Sequence, residues 1–336
     1  MINGIDVHTH IVPEKFPPYA GSGRDVPWPS MQLDGCGHGH VMISGKKYRT
    51  VSETCWDSAK RVSGMDACGV ARQAISPMPE LLSYWLPLAD AKVLIRWLND
   101  TIAGMVVAQP LRFIGLGAVP LQDTDAAIVE LEYVVKSLGF AGVEIASHVN
   151  GVSIGDARFE PFFAAAEKLG AAVFVHALRP AGKDRLVGPT NLEQVVAFPG
   201  DIALAAASMI TGGTAERHKQ LRIAFSHGGG AMTMLLPRLE NAWRISPALN
   251  ASMACAPSET ARRFYYDTLT YSADSLHLVL STFGDDRVMI GTDFPFSIAD
   301  MNPHGTIDAL ALDALDAPRA LALREGNARR FLGLAA

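Results

Sequence analysis

The sequence predicts a (β/α)8 barrel, a TIM-barrel α/β fold, with a small β insertion after its first strand. Eight short apolar runs alternate with stretches of helical length and amphipathic pattern. The chain has 336 residues, enough for one such domain. Histidines and an aspartate recur at the carboxyl ends of the runs, where barrels of this kind carry their chemistry. A doubly wound open sheet is the main rival, because it shares the alternation.

The first run is "IDVHTH", Ile5 to His10. Successive strand side chains point to opposite faces, so Asp6, His8 and His10 share one side. Residues 13–54 break the alternation. They are rich in Gly and Pro and then read "HVMISGKKYRTV", two strand-like pieces around Ser44–Gly45. This insertion is expected over the barrel mouth. Seven further runs follow: Arg72–Pro77, Arg112–Pro120, Ala141–Ser147, Ala171–Ala177, Leu221–Gly230, Arg263–Thr268 and Arg287–Asp293. Their near-continuous apolar character is that of strands buried on both faces. Helices are expected at Asp90–Gln109, Asp123–Leu138, Phe159–Leu169, Asp201–Ile210, Met232–Arg244 and Ala273–Phe283. Asp201 is a candidate N-cap, and Gly212–Gly213 is a stop signal. The whole chain, 1–336, reads as a single barrel domain.

Composition narrows the function. The net charge of −5 offers no footprint for nucleic acid, and no run of Lys or Arg marks a membrane surface. Gly, Pro or charge interrupts each apolar run before it could span a bilayer. Cys36, Cys55, Cys68 and Cys255 form no CxxC pair, as in a reducing compartment. No basic segment followed by an apolar stretch opens the chain, so a cytoplasmic location is expected.

The strand ends carry His8 and His10, His148, His176, His227 and Asp293. Imidazoles and a carboxylate converging on one face suit a borderline-soft divalent cation. Asp6, on the face of His8 and His10, is placed to orient one of the imidazoles. His148 is balanced between a pocket residue and a strand-end hydrogen-bonder. "CGHGH", Cys36 to His40, is a second His-x-His beside a cysteine, in a Gly-rich segment with no fourth partner in view. His218, His277 and His304 read as surface residues.

Several stretches carry a family likeness: "DVHTHIVP", "ISGKKYRTV", "ETCWDSAKRVSGMDACGV", "AVPLQDTDAA", "FSHGGGAMTMLLPRLENAWR" and "DRVMIGTDFPF". Through them the chain resembles the amidohydrolase superfamily, in its branch of 2-amino-3-carboxymuconate-6-semialdehyde decarboxylase-like enzymes. The resemblance implies that His8, His10, His176 and Asp293 bind one divalent metal ion per chain, usually zinc, with no organic cofactor. It implies that His227 is a catalytic histidine outside the ligand set, with Asp293 also in the reacting centre. It implies that Arg49 and Arg238 hold the carboxylate of a small-molecule acid, Arg238 reaching in from the other subunit of a homodimer. Ser147–His148 stands where two-metal hydrolases carry a bridging group, which favours a single ion. After His176 the chain reads "ALRPAGKDR", where the branch has a Pro-Trp-Asp run. Arg238 lies three helical turns beyond His227, and about 5.4 Å per turn carries it away from its own strand ends. The expected reaction is decarboxylation of an unsaturated or aromatic acid. The same parts could instead hydrolyse an amide, lactone or ester, or hold a structural zinc, though structure alone would not need His227.

Overall fold

A computed structural model describes residues 3–23, 25–189, 192–311 and 315–335. Its main sheet has eight parallel strands: Ile5–Ile11, Arg72–Pro77, Phe113–Gly117, Gly142–Ala146, Ala172–His176, Arg222–Phe225, Tyr265–Asp267 and Val288–Met289. Each strand pairs with its successor, so the order never reverses as it does in a doubly wound sheet. Beyond strand 8 the extended chain returns to strand 1. Val7 N donates to Ile290 O at 2.9 Å, Asp293 N to His8 O at 2.9 Å and His10 N to Phe294 O at 2.8 Å. These bonds close the barrel and set Asp293 beside the two histidines.

Val7, Ile114, Leu116, Phe174 and Met289 form an inner apolar cluster, with Phe331 and Leu332 of the helix Asn327–Leu332 packed on it. A second, larger cluster lies between the strands and the helices around them. Burial on both faces explains why the strands read as apolar runs rather than alternating ones.

The helix Ala273–Phe283 has its expected bounds, with Ser272 Oγ accepting from Ser275 N. Leu88–Ala108 and Thr124–Lys136 lie within two residues of expectation at each end, and Asp123 caps the second through Ala126 N at 2.9 Å. Asp201 is not the cap it was expected to be. The helix starts at Phe198 after a π-helical turn, Glu193–Ala197, with Pro199 in its first turn. Asp201 is buried instead, accepting from Ser147 Oγ and from Ala181 N. Two tertiary partners outweigh one local capping bond.

The helical segment Glu193–Thr211 is long and apolar enough, by length and composition, to cross a membrane, contrary to the sequence reading. In the fold, Ile202, Ala206, Met209 and Ile210 of this segment are buried in the outer core.

The insertion is a three-stranded antiparallel sheet, Pro29–Leu33, His38–Ile43 and Lys46–Ser52. Ser44 and Gly45 both take positive φ, 52° and 71°, as a two-residue hairpin turn requires. The first of these strands was not anticipated, because it opens on proline and lacks clear alternation. Val41 and Val51 pack with Val12, Met78 and Leu81, anchoring the sheet over the ends of strands 1 and 2.

Candidate active site

His8 and His10 project together from strand 1, His176 ends strand 5, and Asp293 follows strand 8. All four are buried, and one ligand atom from each lies within 4.8 Å of the others. The tautomers follow from the outer nitrogens. His8 Nδ1 donates to Asp267 Oδ2 at 2.7 Å, His10 Nδ1 to Pro77 O at 3.1 Å and His176 Nδ1 to Ala177 O at 2.7 Å. With each Nδ1 carrying the proton, each Nε2 offers a lone pair to the centre. His8 Nε2, His10 Nε2 and Asp293 Oδ1 are buried with no hydrogen-bond partner. Buried polar atoms of this kind are costly unless something satisfies them. Three imidazoles and a carboxylate, with the inward atoms of His8, His10 and Asp293 left unpaired, fit one divalent cation.

Electrostatics points the same way. Burial disfavours a charged imidazolium, but the hydrogen bond and charge of Asp267 outweigh it and lift His8 to about 9. Burial would raise Asp293, yet His10 and His8 bring its carboxyl below the usual value. His176 is driven well down, by burial first and then by the neighbouring imidazoles. A metal-free site near neutral pH therefore holds a proton on His8 that an entering ion must displace. Zinc affinity of the stripped protein should rise about tenfold per pH unit from pH 7 and flatten above about 9. Competition titrations against a metal buffer check this, and a flat profile would contradict the assignment of His8.

Asp267, at the end of strand 7, was not singled out from the sequence. Its Oδ2 accepts from His8 and from His227 N at 3.0 Å, its Oδ1 from Gly228 N at 2.7 Å and Leu269 N at 3.1 Å. It thereby ties a ligand on strand 1 to the turn carrying His227. That turn is tight: His227 itself has φ of 56°, and a Cβ on Gly230 would lie 1.9 Å from Pro199 O. The His227 ring sits 5.2 Å from that of His8 and 5.1 Å from that of His176, outside the four-residue group. Its Nδ1 pairs with Ser226 Oγ at 2.8 Å. Burial, reinforced by the His8 charge, pushes it down to about 4, so it is neutral at pH 7.

Asp6 does not orient an imidazole, contrary to expectation. It accepts from Thr292 Oγ1 at 2.6 Å, Gln73 Nε2 at 3.3 Å and His8 N at 3.2 Å, linking strands 1 and 2 to the segment after strand 8. Gln73 in turn accepts from the buried Arg61, which also donates to His10 O at 2.9 Å. Glu144, in the middle of strand 4, also escaped notice. It accepts from Ser76 Oγ at 2.7 Å beneath His10, and burial raises it to about 8. A lone charge inside the run "AGVEIAS" was the available signal.

His148 is a hydrogen-bonder: Nε2 pairs with Arg179 O at 3.2 Å, and Nδ1 accepts from Gly151 N at 3.1 Å. The Cys36–His40 segment gathers no ligand group among the described residues; His40 pairs with Thr50 Oγ1 at 3.1 Å. His277 is exposed as expected, but His218 and His304 are half-buried. His218 is held between Glu160 and Glu167, and His304 pairs with Gly69 O, so neither is a free surface residue.

Arg49, from the insertion, lies 4.2 Å over the Phe296 ring, which itself stacks on His10 at 5.3 Å. It borders a narrow cleft together with His176, Arg179 and Asp293. Among the described residues Arg49 has no carboxylate or carbonyl partner, whereas Arg179 is tied to Glu80 at 2.6 Å and lies over Trp85. A wider recess on the other side is bordered by His227 and Asp293. Arg238 is exposed on the helix Met232–Ile245 and lines neither recess of its own chain.

The pattern of the family described as Amidohydrolase matches residues 5–334. Over 332 residues the chain is 35% identical to 2-amino-3-carboxymuconate-6-semialdehyde decarboxylase of Dictyostelium discoideum, covering 98% of this chain and 91% of that one. Among solved structures, apo IDCase of Metarhizium anisopliae superposes with a TM-score of 0.82 at 20% identity, covering 98% and 97% of the two chains. The dihydroxybenzoic acid decarboxylase of Polaromonas, solved with bound manganese and the inhibitor 2-nitroresorcinol, gives a TM-score of 0.78 at 23% identity over 99% and 97%. A closed barrel with its ligand set at the strand ends, matched along nearly its whole length, belongs to the amidohydrolase superfamily, in the branch of 2-amino-3-carboxymuconate-6-semialdehyde decarboxylase-like enzymes.

Proposed function

We propose that the chain removes CO2 from an aromatic or unsaturated carboxylic acid, with one zinc ion held by His8, His10, His176 and Asp293. The observation that carries this reading is Arg49: a guanidinium with no acidic partner among the described residues, beside an orphaned ligand set. Its planar fork suits a carboxylate. When bound, the ion supplies a Lewis acid that stabilises negative charge developing on the substrate. His227, neutral at pH 7, accepts a proton from water or from a substrate hydroxyl. As the bond to the carboxylate carbon breaks, its electron pair stays on the substrate. His227 delivers the proton to the substrate carbon that keeps that pair, and the carboxylate carbon leaves as CO2. The ligand residues themselves are buried, which keeps water from crowding the reacting end.

Three imidazoles with one carboxylate, a set of borderline softness, support zinc as that ion. The test is a screen of aromatic and muconate-type acids for CO2 release, on protein purified without added metal and assayed for its metal content. About one equivalent of zinc per chain and cofactor-free CO2 release are expected. Manganese as the native ion would overturn the zinc assignment, and turnover of amides or lactones without decarboxylation would overturn the reaction.

We further propose a two-fold dimer in which Arg238 serves the partner's site. Arg238 shares its helix with the exposed apolar residues Met234 and Ile245, 72% and 73% exposed, and with Thr233, which borders the wide recess. Mixing inactive His227→Asn chains with Arg238→Ala chains under subunit exchange should restore about a quarter of the sites, because random pairing leaves one intact site in each mixed dimer. Proven exchange without recovery would refute the shared site.

A further inference from the structure

Arg179 stands in the run "ALRPAGKDR", which departs from the branch pattern, and its backbone is strained. Its φ is 47°, in the left-handed region that long side chains avoid. Bonds to the end of strand 4 and to the helix Phe198–Thr211 hold it there. Leu178 N donates to Ser147 Oγ at 3.3 Å, Ala181 N to Asp201 Oδ1 at 3.1 Å, and His148 Nε2 to Arg179 O at 3.2 Å. Strain of this kind persists where the surroundings over-determine it, and such places cluster at ligand clamps.

The side chain is pinned as well. Nε and Nη2 both donate to one oxygen of the buried Glu80, at 3.2 and 2.6 Å, and the guanidinium lies 3.2 Å over the Trp85 ring. Two donors on one oxygen are not the paired fork that a guanidinium makes with a carboxylate. Nη1 keeps no partner among the described residues. Arg179 borders the narrow cleft beside Arg49, and its volume of about 20 Å³ admits carboxylate oxygens but not a ring. Two acids, Glu80 and Glu193, border the same cleft and offset the two guanidiniums. Without Arg179 the acids would outnumber the arginines around an entering carboxylate.

We propose that Arg179 is a second carboxylate-binding residue of this cleft, its Nη1 donating to the substrate beside Arg49 while Glu80 and Trp85 fix its plane. The proposal rests on the reading that the substrate carboxylate enters the narrow cleft. Two carboxylate oxygens have lone pairs for several donors, so an arginine brought by a partner subunit would add to this pair without replacing it.

The experiment is calorimetric binding of benzoate, and of benzamide as its uncharged analogue, to the metal-loaded full-length protein. Arg179→Gln keeps a donor for Glu80 but loses the charge. Benzoate should then bind at least about tenfold more weakly, with benzamide within about twofold of wild type. Glu80→Gln removes an acid and keeps an acceptor for Arg179, so benzoate should bind no more weakly than to wild type. If Arg179→Gln fails to fold, the double variant Glu80→Gln/Arg179→Gln, which leaves no buried charge unpaired, is compared with Glu80→Gln and should show the same loss for benzoate. Unchanged benzoate binding on removal of Arg179 overturns the proposal. Equal weakening of both ligands in both single variants also overturns it, because that is the mark of a structural staple. Arg49→Ala is measured in parallel. Benzoate affinity lost in Arg49→Ala alone refutes Arg179 and leaves the reading of the cleft standing, whereas no loss in either variant removes the carboxylate from this cleft altogether.

Discussion

Replacing His227 by asparagine leaves the metal in place and lowers kcat by roughly 10²–10⁴-fold. The two halves of this result come from different features. Metal retention follows because His8, His10, His176 and Asp293 form the group without His227. Loss of turnover follows because His227 borders the wide recess together with Asp293 and is neutral at pH 7, ready to take and return a proton. Asparagine fits the same left-handed turn, since it tolerates positive φ better than most residues, so the loop should keep its shape. Its amide cannot carry a proton to carbon. Metal analysis and steady-state kinetics on the same preparation separate the two effects. A variant that loses its metal makes His227 a ligand, and one that keeps full activity removes it from the reaction.

The second large effect is expected at Asp267. Asp267→Ala removes the acceptor for four hydrogen bonds in a buried place, leaving His8 Nδ1 and three backbone amides unpaired. A loss of about 3–5 kcal/mol in stability is expected, the range for breaking a buried charged pair. Metal affinity should fall about 10–100-fold, because the partner that fixes the His8 tautomer is gone. Asp267→Asn separates the contributions. Its amide nitrogen must occupy the place of Oδ1 or Oδ2, and each of those oxygens faces two donors. Turned toward His8, the amide would favour the proton on Nε2 and block the inward lone pair. Asparagine should therefore weaken metal binding with a smaller loss of stability than alanine causes. Thermal denaturation and metal titration of both variants give the comparison; equal metal affinity in wild type and both variants would remove Asp267 from the site.

Strand geometry marked the candidates, and the family resemblance chose His8, His10, His176 and Asp293 from a set that also held His148 and His227. A period of two sets His8 and His10 on one side, and His176 and Asp293 stand where apolar runs stop. Arg49 and Arg238 were not legible from periodicity. They entered through the resemblance, and the structure brings only Arg49 to the cleft. Asp267 and Glu144 were overlooked although each left a trace. "RFYYDT" ends its apolar run on an acid, as the ligand-bearing runs do, and "AGVEIAS" hides a charge within one. Asp6 misled because sharing a strand face with His8 and His10 does not mean touching their rings. Its oxygens turn to Gln73 on strand 2 and Thr292 after strand 8, which no local pattern places beside it.

The sequence by itself determined the alternation of buried strands and helices, hence the barrel, and the residue types at the strand ends. Both are local matters of apolar period and chain direction, which neighbouring residues decide among themselves. Tertiary structure alone decided which polar atoms are satisfied and which are left facing one another. The Nδ1 partners of His8 and His10, Asp267 and Pro77 O, lie 259 and 67 residues away in the chain, and those contacts set the tautomers that make a ligand centre. Closure of strand 8 onto strand 1 likewise brings Asp293 to His8 and His10. Hydrogen-bond satisfaction in a buried site belongs to the assembled barrel, because its donors and acceptors meet only when distant strands do.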